Sequence, residues 1–154
     1  MNHMRSRMLR FWTPVLAVSL LALGTLRADL KLALAESNLE KRSKLALDNA
    51  ASAFKALREA YQKGNNEQVE AYAAEIRESV DLAYTSLEQT GKNPRRSPKW
   101  FKQAEIDTRA LLRKLEGFQQ DMNFVDRPLL DSVRARVQEV HDELLTGLLE
   151  GKNK

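Results

Sequence analysis

The sequence predicts an all-α protein: an antiparallel up-down-up-down four-helix bundle preceded by an N-terminal signal segment. Three observations predict it. Four apolar stripes recur at spacings of three and four residues, the step that keeps side chains on one side of a 3.6-residue helix. Stretches rich in glycine, asparagine and proline separate them, at Gly64-Asn65-Asn66, Gly91 to Pro98 and Asn123 to Arg127. Nothing between them alternates in the manner of a strand. With 154 residues, the chain has the size of one domain with a real core.

The chain opens on a leader. Met1 to Arg10 carries Arg5, Arg7 and Arg10 and no acid, and Phe11 to Leu26 is apolar except at Thr13, Pro14, Ser19, Gly24 and Thr25. A basic start, a short apolar run and small residues behind it describe a secretory signal peptide over residues 1–28. Ala22-Leu23-Gly24 and Leu26-Arg27-Ala28 offer two cleavage points, so the mature chain is expected to begin at Thr25 or Asp29. The apolar run is about 16 residues, against about 20 needed to span a bilayer. The alternative is an uncleaved anchor over residues 11–26. The expected location is periplasmic or extracellular, or anchored to a membrane.

The net charge of +4 is a property of that leader. Arg5, Arg7, Arg10 and Arg27 precede the first acid, Asp29, and the remainder holds 21 Lys and Arg against 21 Asp and Glu. A balanced folded part gives no argument for nucleic acid, and none is expected as a partner. The chain has no cysteine, which excludes disulfides, thiolate metal sites and a cysteine nucleophile.

The first helix is expected over about 29–63, on Leu32, Ala35, Leu39, Ser43, Ala46, Ala50, Ala53, Leu57 and Ala60. Glu40 with Lys44, and Glu59 with Lys63, are spaced for i,i+4 pairs worth a few tenths of a kcal/mol each. Gly64 can take the left-handed position that closes this helix. Asn65, three residues before Gln68, reads as the cap of the second helix over 66–90, on Val69, Ala73, Ile76, Val80, Ala83 and Leu87. Arms tied this tightly lie antiparallel. The first would be about ten residues the longer, an overhang of about 15 Å. That overhang carries Leu30, Leu32, Leu34 and Leu39, a candidate contact for self-association.

Ser97-Pro98 opens the third helix, over 98–122, as a cap followed by proline at the first helical position. Its stripe is Phe101, Ala104, Thr108, Leu111, Leu112, Leu115, Phe118 and Met122, with Gly117 inside it, suggesting close packing. The fourth helix, over 127–150, has Asp126 as its expected cap and a staple of Val125 on Leu130. Leu130, Val133, Val137, Val140, Leu144 and Leu148 form its stripe, and residues 151–154 form a frayed tail.

Chemistry is thin along these helices. His141, the one histidine after the leader, stands near Glu139, Asp142 and Glu143. At 100° per residue it lies about 40° from Val137, at the edge of the stripe, while those acids lie about 200°, 140° and 240° away. Four metal ligands cannot converge from opposite faces of one helix. Met122 stands about 18 Å along the axis from His141, too far to share one haem. Paired Glu-x-x-His motifs, a glycine-rich phosphate loop and a serine triad are absent from the sequence. The expectation is no catalysis, no cofactor and no metal.

The basic loop is the strongest candidate. Lys92, Arg95, Arg96, Lys99 and Lys102 fall within eleven residues without an acid, and Trp100 stands among them. Such a cluster suits an anionic envelope surface or a protein partner. The expected function is a non-catalytic exported helical-bundle protein acting through its surface, as a partner-binding, scaffold or envelope protein. The alternative is a carrier that holds an apolar small molecule or lipid between its helices.

Overall fold

The computed structural model describes residues 30–151. The signal segment, the alternative anchor and residues 152–154 of the tail lie outside the described residues. Within them the protein is all-helical, with four long helices packing together and no strand. These are α1 (Leu39–Gln62), α2 (Asn66–Gln89), α3 (Pro98–Asp121) and α4 (Asp131–Glu150). A 3₁₀ turn, Arg127–Leu130, leads into α4, and a short helical stretch over 30–35 precedes α1.

The hairpin α1–α2 is built on small residues. Ala46, Ala50, Ala53 and Ala60 are buried against Val69, Ala73, Ile76, Val80 and Ala83. Small side chains let two helices approach closely, and this pair shares the most extensive contact in the molecule. Inside it, Asn49 Nδ2 donates to Ser79 Oγ (2.9 Å) and Glu75 Oε1 (3.1 Å). The turn follows its chemistry: Gly64 has φ 69°, and the Asn65 side chain accepts from Gln68 N at 3.1 Å.

The first helix is shorter than its stripe suggests. It begins at Leu39, and α1 and α2 have 24 residues each, so the continuous overhang is not there. The break has a local cause. Asn38 is extended and its side chain accepts from Lys41 N at 3.0 Å, while Glu36 Oε1 accepts from Asn38 N at 2.8 Å. Short polar side chains that satisfy the backbone locally compete with a continuing helix. Glu40 pairs with Lys92 at 2.6 Å rather than with Lys44, which turns to Asp48. Among the described residues Glu59 and Lys63 form no ion pair.

Helices α3 and α4 make the second pair, and α4 lies against α2 while α3 lies against α1. Consecutive helices α2 and α3 touch less than either of those pairs. Phe54 and Tyr61 of α1 meet Phe118 of α3 edge to face, with centroids 6.0 and 5.6 Å apart. Three details of the second half depart from expectation. Gly117 is exposed, and an added Cβ would meet nothing within 4 Å, so no close packing requires it. Ser97 makes no side-chain cap bond. Asp126 does not cap α4 either, and Val125 is 81% exposed, so the staple is not formed.

Candidate functional site

The two ends of the molecule differ in what they leave open. At one end, the turns 63–65 and 122–130 are tied together. Tyr61 Oη donates to Asp126 Oδ2 at 3.1 Å and accepts from Asn123 N at 2.9 Å. Gln119 Nε2 donates to Arg127 O and Asp131 Oδ1, both at 2.7 Å. The carboxylate expected to cap α4 is thus spent on joining the two turns.

The opposite end gathers the start of α1, the loop 90–97, the first turns of α3 and the end of α4. The loop is rigidly built. Gly91 turns at φ 67°, and Thr90 Oγ1 donates to Leu87 O at 2.6 Å and accepts from Lys92 N at 3.2 Å. Asn93 Oδ1 accepts from Arg95 N at 2.9 Å and Arg96 N at 3.3 Å. It caps the turn that precedes α3, not the helix itself. Buried Pro94 seats on α4 at Gly147, where an added Cβ would come within 3.2 Å of its Cγ.

This framework divides the sequence-predicted cations. Lys92 is occupied by Glu40, which ties the loop to α1. Arg95, Arg96, Lys99 and Lys102 are exposed, and none of them forms an ion pair among the described residues. The Lys99 ammonium lies 5.2 Å from the centre of the Trp100 ring, which is half-buried against the core. Phe101 is buried, closing the core beneath the loop. The predicted contact leucines divide as well. Leu30 and Leu39 are half-buried, whereas Leu32 and Leu34 are 65% and 53% exposed. Ala33, not a leucine, is the residue of that stretch that enters the core.

Two features were not legible in the sequence. The first is an open groove of about 780 Å³ between α2, the loop and α4. Pro94, Phe101 and Leu144 give it an apolar floor, and Glu88, Glu139, Glu143 and Glu150 line it. Tyr84, also in its wall, has its phenol pushed up to about 12, first by burial and then by the charges of Glu88 and Glu143. Arg136 on its flank holds Asp81 at 2.5 Å and Glu139 at 2.6 Å, and these two carboxylates raise its already high pKa.

The second feature is a buried carboxylate. Glu105 of α3 is 7% exposed, 3.1 Å from His141 Nε2 and 3.4 Å from Arg109 Nε. Asp142, expected on the far side of the helix, reaches His141 Nδ1 at 3.2 Å. The signal for Glu105 was its place about 40° from Phe101 around α3, the same angular step that set His141 at the edge of α4. No group of three or more histidines and carboxylates among the described residues could hold a metal ion. The Glu105–His141 contact is a polar cross-link between α3 and α4. Among the described residues no helix is long and apolar enough to cross a membrane.

Comparison with protein-family models, curated proteins and solved structures finds no match for this chain.

Proposed function

We propose that this chain is a non-catalytic exported helical-bundle protein, with helices running up-down-up-down, that acts by binding an acidic partner surface through its loop end. One observation carries the reading: Arg95 and Arg96 on the loop and Lys99 and Lys102 on the first turns of α3 are exposed and form no ion pair among the described residues. Cations held out in this way attract acidic groups at little reorganisation cost. The leader supports export. Kept as an anchor, it would hold the loop end closest to the envelope, because α1 starts at that end.

The carrier alternative draws less support. The alanines that would leave room between α1 and α2 are themselves buried by the facing helix. The test is retention of the protein on envelope membranes in low and high salt. The wild type is expected to be retained in dilute buffer and released in about 0.5 M salt. A variant with Arg95, Arg96, Lys99 and Lys102 changed to glutamine should not be retained. Equal retention of both proteins would overturn the reading.

A further inference from the structure

We infer that a cleft between α1 and α3 binds a diphosphate group. This site is separate from the loop end, because its lining comes from the second halves of α1 and α3, nearer the turns. Lys55 and Arg58 of α1 and Arg113 and Lys114 of α3 line it, and all four are exposed. Asp121 is the one acid in the lining. Neither it nor any of the four cations forms an ion pair among the described residues. Elsewhere the same two helices do pair their charges: Lys44 holds Asp48, and Arg109 holds Glu105 at 3.4 Å.

Two observations separate this cleft from an ordinary basic surface. Arg58 is held in place, with its guanidinium 5.6 Å from the centre of the Phe118 ring. That ring is itself fixed by edge contacts with Phe54 and Tyr61, and an aromatic face attracts and positions a cation. The other observation is Gly117. A glycine weakens a helix interior, and no neighbour needs the space it leaves, since an added Cβ would meet nothing within 4 Å. Gly117 lines the cleft, so the missing side chain keeps the cleft open at that point. The volume, about 290 Å³, lies at the lower edge of ligand pockets and suits a compact anion. An anion that offsets this excess of cations in so small a space must concentrate its charge, as a diphosphate does. The guanidinium forks of Arg58 and Arg113 match pairs of phosphate oxygens, and the ammonium groups of Lys55 and Lys114 add point charges.

Calorimetric titration of the full-length protein tests this, in dilute buffer free of divalent cations, with inorganic pyrophosphate and adenosine diphosphate as probes. Saturable binding of one probe molecule per chain is expected, with Kd below about 1 mM. A site for the free anion takes pyrophosphate alone; a site for the diphosphate end of a larger molecule takes adenosine diphosphate at least as tightly. Arg58→Gln/Arg113→Gln should weaken binding at least about tenfold. Gly117→Leu keeps every charge and fills the cleft, and should weaken binding by a similar factor while the helical circular dichroism stays unchanged. Arg95→Gln/Arg96→Gln, at the loop end, should bind as the wild type does. No saturable binding of either probe would overturn the inference. So would a Gly117→Leu variant that binds like the wild type, since the attraction would then be diffuse surface charge. A loss confined to the loop variant would place the anion at the loop end and also overturn it. Retention on envelope membranes is read separately, so this inference and the loop-end reading can fail independently.

Discussion

The turn end and the loop end are made of similar materials and finished differently. Both contain loops between helices, a charged residue near an aromatic ring and exposed apolar side chains. At the turn end the polar groups satisfy one another through Tyr61, Asp126, Asn123 and Gln119. Phe124, although 81% exposed, lies 5.8 Å from the Arg127 guanidinium. At the loop end the backbone is equally well satisfied, through Thr90 and Asn93, but Arg95, Arg96, Lys99 and Lys102 form no ion pair among the described residues. Of the predicted cations Lys92 is paired, with Glu40. On the proposed reading, a satisfied backbone that carries unpaired cations marks the loop end as the binding surface. Changes at the turn end should therefore move stability, and changes at the loop end should move binding.

The largest expected effect belongs to neither end. Ile76 is wholly buried midway along α2, and Ile76→Ala should cost about 2–5 kcal/mol through lost burial and a residual cavity. Chemical denaturation followed by circular dichroism measures it. A cost below about 1 kcal/mol would place Ile76 outside a tightly packed seam. Next, Gly64→Ala forces a side chain into a φ of 69° and should cost about 1–2 kcal/mol. Binding to envelope membranes should be unchanged in that variant.

Tyr61→Phe removes two of the hydrogen bonds that join the two turns and leaves the one from Asn66 Nδ2 to Asp126 Oδ1, for about 0.5–1.5 kcal/mol. Because those partners are partly solvated, a larger loss would show that the turns depend on each other more strongly than the geometry indicates. At the loop end, glutamine at Arg95 and Arg96 should leave stability within about 0.5 kcal/mol of the wild type. A clear gain or loss would mean that these arginines serve the monomer's own fold.

The smallest effect is a slope. The Tyr84 phenol is raised from 10.0 to about 12 in the folded protein, so the folded state keeps its proton where the unfolded chain releases it. Stability should fall as pH rises from about 10 to about 12, and be independent of this group below that window. Tyr84→Phe should flatten part of the decline. Tyr72, whose phenol is also raised by burial, supplies another part. An unaltered alkaline slope would place Tyr84 in a more solvated setting than the groove wall.

Legibility in the sequence tracked how local the cause was. The Gly64-Asn65 turn and the alanine stripes beside it could be read directly, because glycine, a capping asparagine and a 3.6-residue period act over a few residues. The start of α1 was misread for a related reason. Leu32, Ala35 and Leu39 keep the period across Ser37-Asn38, and only the Asn38 cap reveals that the helix restarts. The basic loop was visible as composition, but not that Glu40 withdraws Lys92 from it, since 52 positions separate the partners. The groove was hidden altogether. It exists because α4 lies against α2, a choice of neighbour that no single helix records. Glu105 was missed because a carboxylate within an apolar arc looks solvated until His141 arrives from another helix.

The measurement that bears most directly on the division of labour between the ends is hydrogen exchange. It is to be followed on the full chain, free and bound to envelope membranes, in dilute buffer. Added protection is expected over residues 92–102 and the last turns of α4, vanishing in about 0.5 M salt, while residues 61–66 and 122–127 exchange at the same rate in both states. Protection that appears at Phe124 and Val125 instead, or that is indifferent to salt, would contradict the assignment of the loop end as the working surface.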